Sequence, residues 1–155
     1  MKKTNAIRLL ESKNIEHKIL TYDNKDGKID GISVANKIGH SSEYVFKTLV
    51  TIGSSKNLYV FCIPVEYELN LKKAAKAVKE KKIEMLPVKD LFKYTGYIRG
   101  GCSPIGMKKR YYTVIDEVAS MYDNIIISGG AIGIQIMLEP NYLLKIVNGE
   151  YADIT

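Results

Sequence analysis

Tryptophan is absent from this 155-residue chain, which also has only two cysteines, two histidines, three phenylalanines and four prolines. Cys62 and Cys102 lie far apart, with no third cysteine or nearby histidine. A disulfide framework and a spaced Cys/His metal set are therefore excluded, and both residues are expected as reduced thiols. Long apolar runs are missing too. The most apolar stretch, residues 125–138, is about 14 residues long and broken by Gly129, Gly130 and Gly133, against the roughly 20 that span a bilayer. The first residues mix Lys2, Lys3, Arg8 and Glu11 among apolar ones, unlike a secretory leader. The expectation is a cytoplasmic protein with no membrane partner.

Arginine is scarce as well: Arg8, Arg99 and Arg110 are the only three among 23 basic residues. Bidentate readout of base edges is therefore a weaker expectation than diffuse attraction to phosphate, and DNA is not expected as a partner. There is no P-loop and no glycine-rich dinucleotide fingerprint after a strand. No cofactor and no metal are expected.

What is present is a hydrophobic content of 46%, enough for one core, so residues 1–155 are expected to form one domain. The 23 basic against 17 acidic residues give a net charge of +6 and a pI near 9.1, a balance suited to an anionic partner such as RNA.

Apolar positions Ile7 and Leu10, widened by Ala6 and Leu9, predict a helix over residues 4–13 with Thr4 as its cap. A short strand follows at 18–22, then a turn-rich loop at 23–27. Residues 33–38 read as a helix ended by Gly39, and residues 45–52 and 58–65 as two strands joined by a turn. Asn70 can cap a helix running to about Lys79, with Leu71, Ala74, Ala75 and Val78 on one side and Lys72, Lys76 and Lys79 on the other. Pro87 opens a helix over 88–92, and glycine-rich residues 95–107 read as an irregular loop. Strands at 113–116, 124–128 and 133–138 and a helix ending near Val147 complete the pattern. The order is too irregular for a doubly wound parallel sheet. The fold class is α+β: a single compact domain with a mixed, mostly antiparallel sheet or partial barrel flanked by helices.

A nucleophilic triad needs a base beside a serine, threonine or cysteine, yet His17 and His40 sit in no such motif and read as surface residues. Lys47 is more informative, because it interrupts an apolar strand. It is either a lysine snorkelling at a sheet edge or an ammonium offered to a carbonyl or phosphate at a pocket wall. Residues 100–104, Gly-Gly-Cys-Ser-Pro, are either a tight turn or a backbone cradle for an ester. Ser128, Gly129 and Gly130 could supply a hydroxyl and a close backbone approach, or form a plain turn. Lys108, Lys109 and Arg110, with Lys72, Lys73 and Lys76, make either a phosphate-facing surface or a solvated charged face.

Together, the stretches Val45-Phe46-Lys47-Thr48-Leu49, Leu71-Lys72-Lys73-Ala74-Ala75-Lys76-Ala77, residues 95–106 and Ile127-Ser128-Gly129-Gly130 resemble, in order and nearly end to end, the YbaK/EbsC family of aminoacyl-tRNA deacylases. The chain is closest to the YbaK branch and similar to the editing insertion of bacterial prolyl-tRNA synthetases. The resemblance implies cleavage of the ester joining a wrong amino acid to tRNA. Lys47, Gly100 and Gly101 are implied at the reacting ester. Tyr22, Ile29, Asp30, Pro104, Ser128, Gly129 and Gln135 are implied around the substrate, and the lysines above with Arg110 around the tRNA. It also implies a substrate-assisted mechanism, in which the thiol of a cysteinyl ester attacks its own carbonyl.

Gln135 departs from the pattern, which usually has an aspartate there, and Ile29, Asp30 and Gly31 stand where the branch tends to carry Phe-Gly. Three functions follow: a trans-editing deacylase of Cys-tRNA(Pro), and also of Cys-tRNA(Cys); a deacylase of another mischarged tRNA such as Ala-tRNA(Pro); or a non-catalytic module binding tRNA or a synthetase. Mischarged tRNA is the implied partner, and prolyl-tRNA synthetase the implied protein partner.

Overall fold

The computed structural model describes residues 3–155. Thr4 caps the first helix, α1 (Asn5–Ser12), its hydroxyl oxygen accepting the Ile7 amide at 3.2 Å, and the helix buries Ala6, Ile7 and Leu10. Strand β1 (Lys18–Thr21) precedes α2 (Gly31–Ile38). This second helix begins at Gly31 rather than at Ser33, as the sequence suggested, because Asp30 is its cap: the carboxylate accepts the Ser33 amide at 3.1 Å and the Ser33 hydroxyl at 2.7 Å. Gly39, at φ +74°, ends it in a left-handed turn.

Strands β2 (Phe46–Gly53) and β3 (Leu58–Pro64) form the expected hairpin. Asn70 then caps α3 (Leu71–Ala77), accepting the Lys72 and Lys73 amides at 3.1 and 3.0 Å. The helix buries Ala74 and Ala75 and exposes Lys72 and Lys76, as its periodicity requires. Lys73 is not a free cation: it pairs with Asp153 at 3.0 Å. After β4 (Ile83–Met85), α4 (Val88–Thr95) runs past Phe92, where the sequence reading had stopped, and ends at Gly96 with φ +81°. The remaining elements are β5 (Tyr112–Asp116), β6 (Ile125–Ala131), β7 (Ile134–Leu138), α5 (Pro140–Ile146) and β8 (Glu150–Ala152).

Strands β4 and β8 were not foreseen. Each is three residues long, too short to show an alternation, and each lies at an edge of the larger sheet. That sheet has the order β4-β2-β3-β5-β8, with β5 parallel to both its neighbours and the other pairs antiparallel. A second sheet, β1-β7-β6, is wholly antiparallel. A single parallel bridge between Val45 and Ile126 joins the two. The result is the expected α+β domain, with an open pair of sheets rather than a closed barrel.

Alternation along β2 and β3 divides the core. Phe46 and Cys62 pack with Ile127 and Ile136 of the smaller sheet and with Leu10 and Leu143 of the helices. Phe61 and Ile63, one residue on, face Ala74 and Ala75 of α3. Among the described residues no helix is long and apolar enough to cross a membrane.

Glu80 fastens the β2–β3 turn. Its carboxylate accepts the Ser55 amide at 3.1 Å and the hydroxyls of Ser54, Ser55 and Tyr59. These bonds, that of the Ser55 hydroxyl foremost, hold its carboxyl down to about 2 from an ordinary 4.5. A carboxyl depressed on folding stabilises above its unfolded pKa and loses that contribution as pH falls through the folded one. Acid unfolding should therefore show a Glu80 contribution between about pH 4.5 and about 2, which E80Q removes; equal slopes for both proteins in that window would refute the role. Replacing the cap in N70A should cost about 1 kcal/mol, lowering the thermal midpoint by about 2–4 °C in calorimetry.

Candidate active site

The two sheets and α2 meet around a small cleft of about 110 Å³. One wall is Val45, Phe46, Lys47 and Thr48 at the start of β2, with Val65 just beyond β3; another is Ile29, Gly31 and Val34 at the start of α2. Ser128 of β6 and Gln135 of β7 close a third side, and Gly100 and Cys102 a fourth. Sites for drug-sized ligands start near about 300 Å³. This cleft has room for a small acyl group.

Its glycine loop is ordered by its own polar groups. The Thr95 hydroxyl donates to the Leu91 carbonyl at 2.8 Å and accepts the Tyr97 amide at 3.0 Å. The Tyr97 hydroxyl donates to the Ile105 carbonyl at 2.6 Å, and the Ile105 amide reaches Ser103 Oγ at 3.2 Å. Residues 101–105 are all buried. Gly100 has φ +86°, and a Cβ there would lie 2.7 Å from Ile29 Cδ1, so both backbone and packing demand glycine. At Gly101 a Cβ would lie 2.9 Å from the Ile132 nitrogen. The Gly101 amide is already donated to the Ile98 carbonyl at 3.0 Å. It contributes close packing rather than a free donor.

Four polar side chains border the cleft from the sheets, Lys47, Thr48, Ser128 and Gln135. Lys47 is half-buried and forms no ion pair among the described residues. Thr48 Oγ1 is buried without a hydrogen-bond partner among the described residues, with Cys62 directly opposite on β3. A buried hydroxyl in that condition costs about 1–3 kcal/mol. Ser128 and Gln135 are direct partners across β6 and β7, so both side chains share the face that borders the cleft. Ser128 Oγ accepts the Gly130 amide at 3.2 Å, leaving its hydroxyl hydrogen available.

The cleft contains no activated nucleophile. Burial pushes the Cys102 thiol up to about 12, and the Cys62 thiol behind Thr48 likewise to about 12. At neutral pH both remain thiols. His17, whose Nδ1 lies 2.7 Å from the Ile15 carbonyl, and His40 are outside the cleft. Among the described residues no three His, Cys, Asp or Glu side chains are grouped to hold a metal ion.

Lys47, Gly100, Ile29, Ser128 and Gln135 thus converge. Asp30 instead caps α2, and the Ser33 hydroxyl and amide hold its carboxyl below the usual range. Tyr22 follows β1, with its hydroxyl buried and unpartnered and the Lys37 ammonium 5.8 Å from its ring centre, and it does not line the cleft. Pro104 lines a separate cavity with Leu9, Tyr111 and Ile146, and Gly129 is buried against Ile134. Of the basic residues, Lys72 and Lys76 are exposed on α3; Lys108 lies 5.1 Å from the centre of the Phe92 ring, and Lys109 and Arg110 are exposed before β5. Thr48, Val34 and Val65 were missed by residue-level reading, whereas Cys102 lies in the glycine segment that reading had offered as a cradle. A hydroxyl beside the anomalous strand lysine was the one available signal for Thr48.

The chain has known relatives in sequence and in fold. The model of the aminoacyl-tRNA editing domain matches residues 30–146, and the chain belongs to that family. It is 46% identical over 153 residues, 99% of this chain and 93% of the relative, to an Enterococcus faecalis protein provisionally named a Cys-tRNA(Pro)/Cys-tRNA(Cys) deacylase, EbsC. Among solved structures it is similar to one described provisionally as a trans-editing enzyme for prolyl-tRNA synthetase. That match has a TM-score of 0.87 and 21% identity, over 100% of this chain and 99% of the other. A scaffold used for grafting linear epitopes has a TM-score of 0.85 and 23% identity, covering 99% and 98%. Both structures establish the shared fold.

Replacing Thr48 by valine removes an unsatisfied hydroxyl at nearly constant shape, so T48V should match or exceed the parent in denaturant stability; a loss above about 1 kcal/mol would mean the hydroxyl is bonded in the free protein. G100A should lose roughly 1–3 kcal/mol through backbone strain and the clash with Ile29, read from the same unfolding curves.

Proposed function

We propose that this chain is a trans-editing deacylase that cleaves mischarged Cys-tRNA(Pro), and also Cys-tRNA(Cys), acting as one editing domain over residues 1–155. The observation that carries the reading is a cleft that offers charge stabilisation and positioning but no nucleophile of its own: Lys47 and Thr48 border it, and its one thiol stays protonated. Such a site suits a substrate that brings its own nucleophile.

The substrate's cysteine sulfur attacks its ester carbonyl carbon, and the bond from that carbon to the ribose oxygen breaks. The thiol proton passes to the departing oxygen, and the amino acid leaves as a thiolactone that water then opens. Lys47 faces the negative charge growing on the carbonyl oxygen, and the Thr48 hydroxyl gains the partner it lacks in the free protein. The Gly100 backbone lies against the ester, and the apolar wall of Ile29, Val34 and Val65 excludes water and holds the acyl group in a near-attack geometry. Gln135, opposite Ser128, offers a neutral hydrogen-bonding group to the aminoacyl moiety. The 46% identity to the E. faecalis protein supports the cysteinyl ester as substrate. Prolyl-tRNA synthetase is the proposed partner that supplies tRNA identity, and the cytoplasm, where tRNA is charged and used, the proposed compartment.

The test is release of amino acid from purified Cys-tRNA(Pro), Cys-tRNA(Cys) and Ala-tRNA(Pro). Cysteinyl esters should be lost fastest, and K47A should slow that loss by roughly 100-fold while keeping the parent's thermal midpoint. Unchanged turnover in K47A would remove Lys47 from the mechanism. A preference for the alanyl ester would change the assigned amino acid, and no release from any ester would leave a binding module.

A further inference from the structure

A second concavity lies at the end of the larger sheet opposite the cleft. It measures about 420 Å³ and is bounded by the β2–β3 turn on one side and by the segment entering β5 on the other. This volume falls in the roughly 300–1,000 Å³ range of sites for small organic ligands. Tyr59, Tyr94, Tyr111 and Tyr112 line it, flanked by Lys56, Lys109 and Arg110.

The tyrosines' polar ends are partly engaged within the protein. The Tyr59 hydroxyl donates to Glu80, and the Tyr111 hydroxyl donates to the Tyr94 carbonyl at 2.7 Å. Burial first, and Glu150 beside it, push the Tyr112 hydroxyl up to about 12. Tyr59 and Tyr112, adjacent across the parallel β3–β5 pair, hold their rings edge to face with centres 6.4 Å apart. Tyr112 remains 44% exposed. Of the nearby carboxylates, Glu80 accepts the Tyr59 hydroxyl and Glu150 is exposed, whereas Lys56, Lys109 and Arg110 are exposed and form no ion pair among the described residues.

Aromatic faces beside unpaired cations meet the two demands of a single-stranded nucleotide: stacking for the base and charge for its phosphate. We propose that this groove is a subsite for an unpaired nucleotide of RNA, stacked on Tyr112 and held through its phosphates by Lys56, Lys109 and Arg110. The proposal deepens the reading of the substrate as aminoacyl-tRNA and rests on it. From Tyr59 to Ile63, the partner of Lys47, β3 advances about 14 Å at ~3.4 Å per residue. One RNA can therefore engage both places.

The full-length protein is titrated into a fluorescein-labelled single-stranded RNA tetranucleotide, with anisotropy as the readout and a poly-glutamate peptide in parallel. Y112A should weaken RNA binding roughly tenfold, and Y112F should restore it because the ring face is kept. R110Q should weaken binding and reduce the slope of log affinity against log salt by about 0.7. Each variant is compared at an unchanged thermal midpoint; Tyr112 and Arg110 are both exposed. Parental RNA affinity in Y112A, or equal weakening toward RNA and poly-glutamate, would overturn the nucleotide assignment. The oligonucleotide carries no aminoacyl ester, so a chain that binds it but releases no amino acid from aminoacyl-tRNA refutes the deacylase while keeping the groove. A chain that deacylates with unaltered binding in Y112A does the reverse.

Discussion

The antiparallel register of β2 against β3 is the constraint on which the rest of the molecule depends. Pairing Lys47 with Ile63 and Thr48 with Cys62 sends alternate side chains to opposite faces of the larger sheet. Phe46 and Cys62 then build the core shared with the smaller sheet, while Phe61 and Ile63 take the cover of α3. A slip of one residue would exchange the two sets and bury Lys47's neighbours in the wrong layer. Lys47 and Thr48, consecutive along β2, both reach the edge of the cleft, the first without an ion pair and the second without a hydrogen-bond partner among the described residues.

Around that edge the protein has spent its order on a backbone, not on a nucleophile. The glycine loop is pinned by Thr95, Tyr97 and Ser103 and buried from residue 101 to 105, with Gly100 at a φ that side chains resist. The thiols nearest the site are held protonated by their own burial. What the cleft offers a ligand is an ammonium and a shaped backbone, not an activated nucleophile.

Charge is distributed by a similar logic. The net excess of +6 is a property of composition. Tertiary contacts decide which cations are free to act: Lys73 is consumed by Asp153 and Lys37 by Asp26, whereas Lys47, Lys56 and Arg110 have no ion-pair partner among the described residues. A lysine count therefore says that an anion is attracted and says little about where.

Elements whose signals are local were legible in the sequence. Thr4 and Asn70 are caps, Gly39 closes a helix, and the central hairpin shows in its β-branched and aromatic runs, because capping, left-handed turns and alternation each involve a few neighbouring residues. Family resemblance singled out Lys47, Gly100, Ser128 and Gln135, and in the fold these four line one cleft. Strands β4 and β8, the capping duty of Asp30, the burial of Cys102 and the unsatisfied Thr48 hydroxyl needed the tertiary structure. Each depends on partners distant in the chain, and sheet pairing and solvent exclusion exist only once those partners have met.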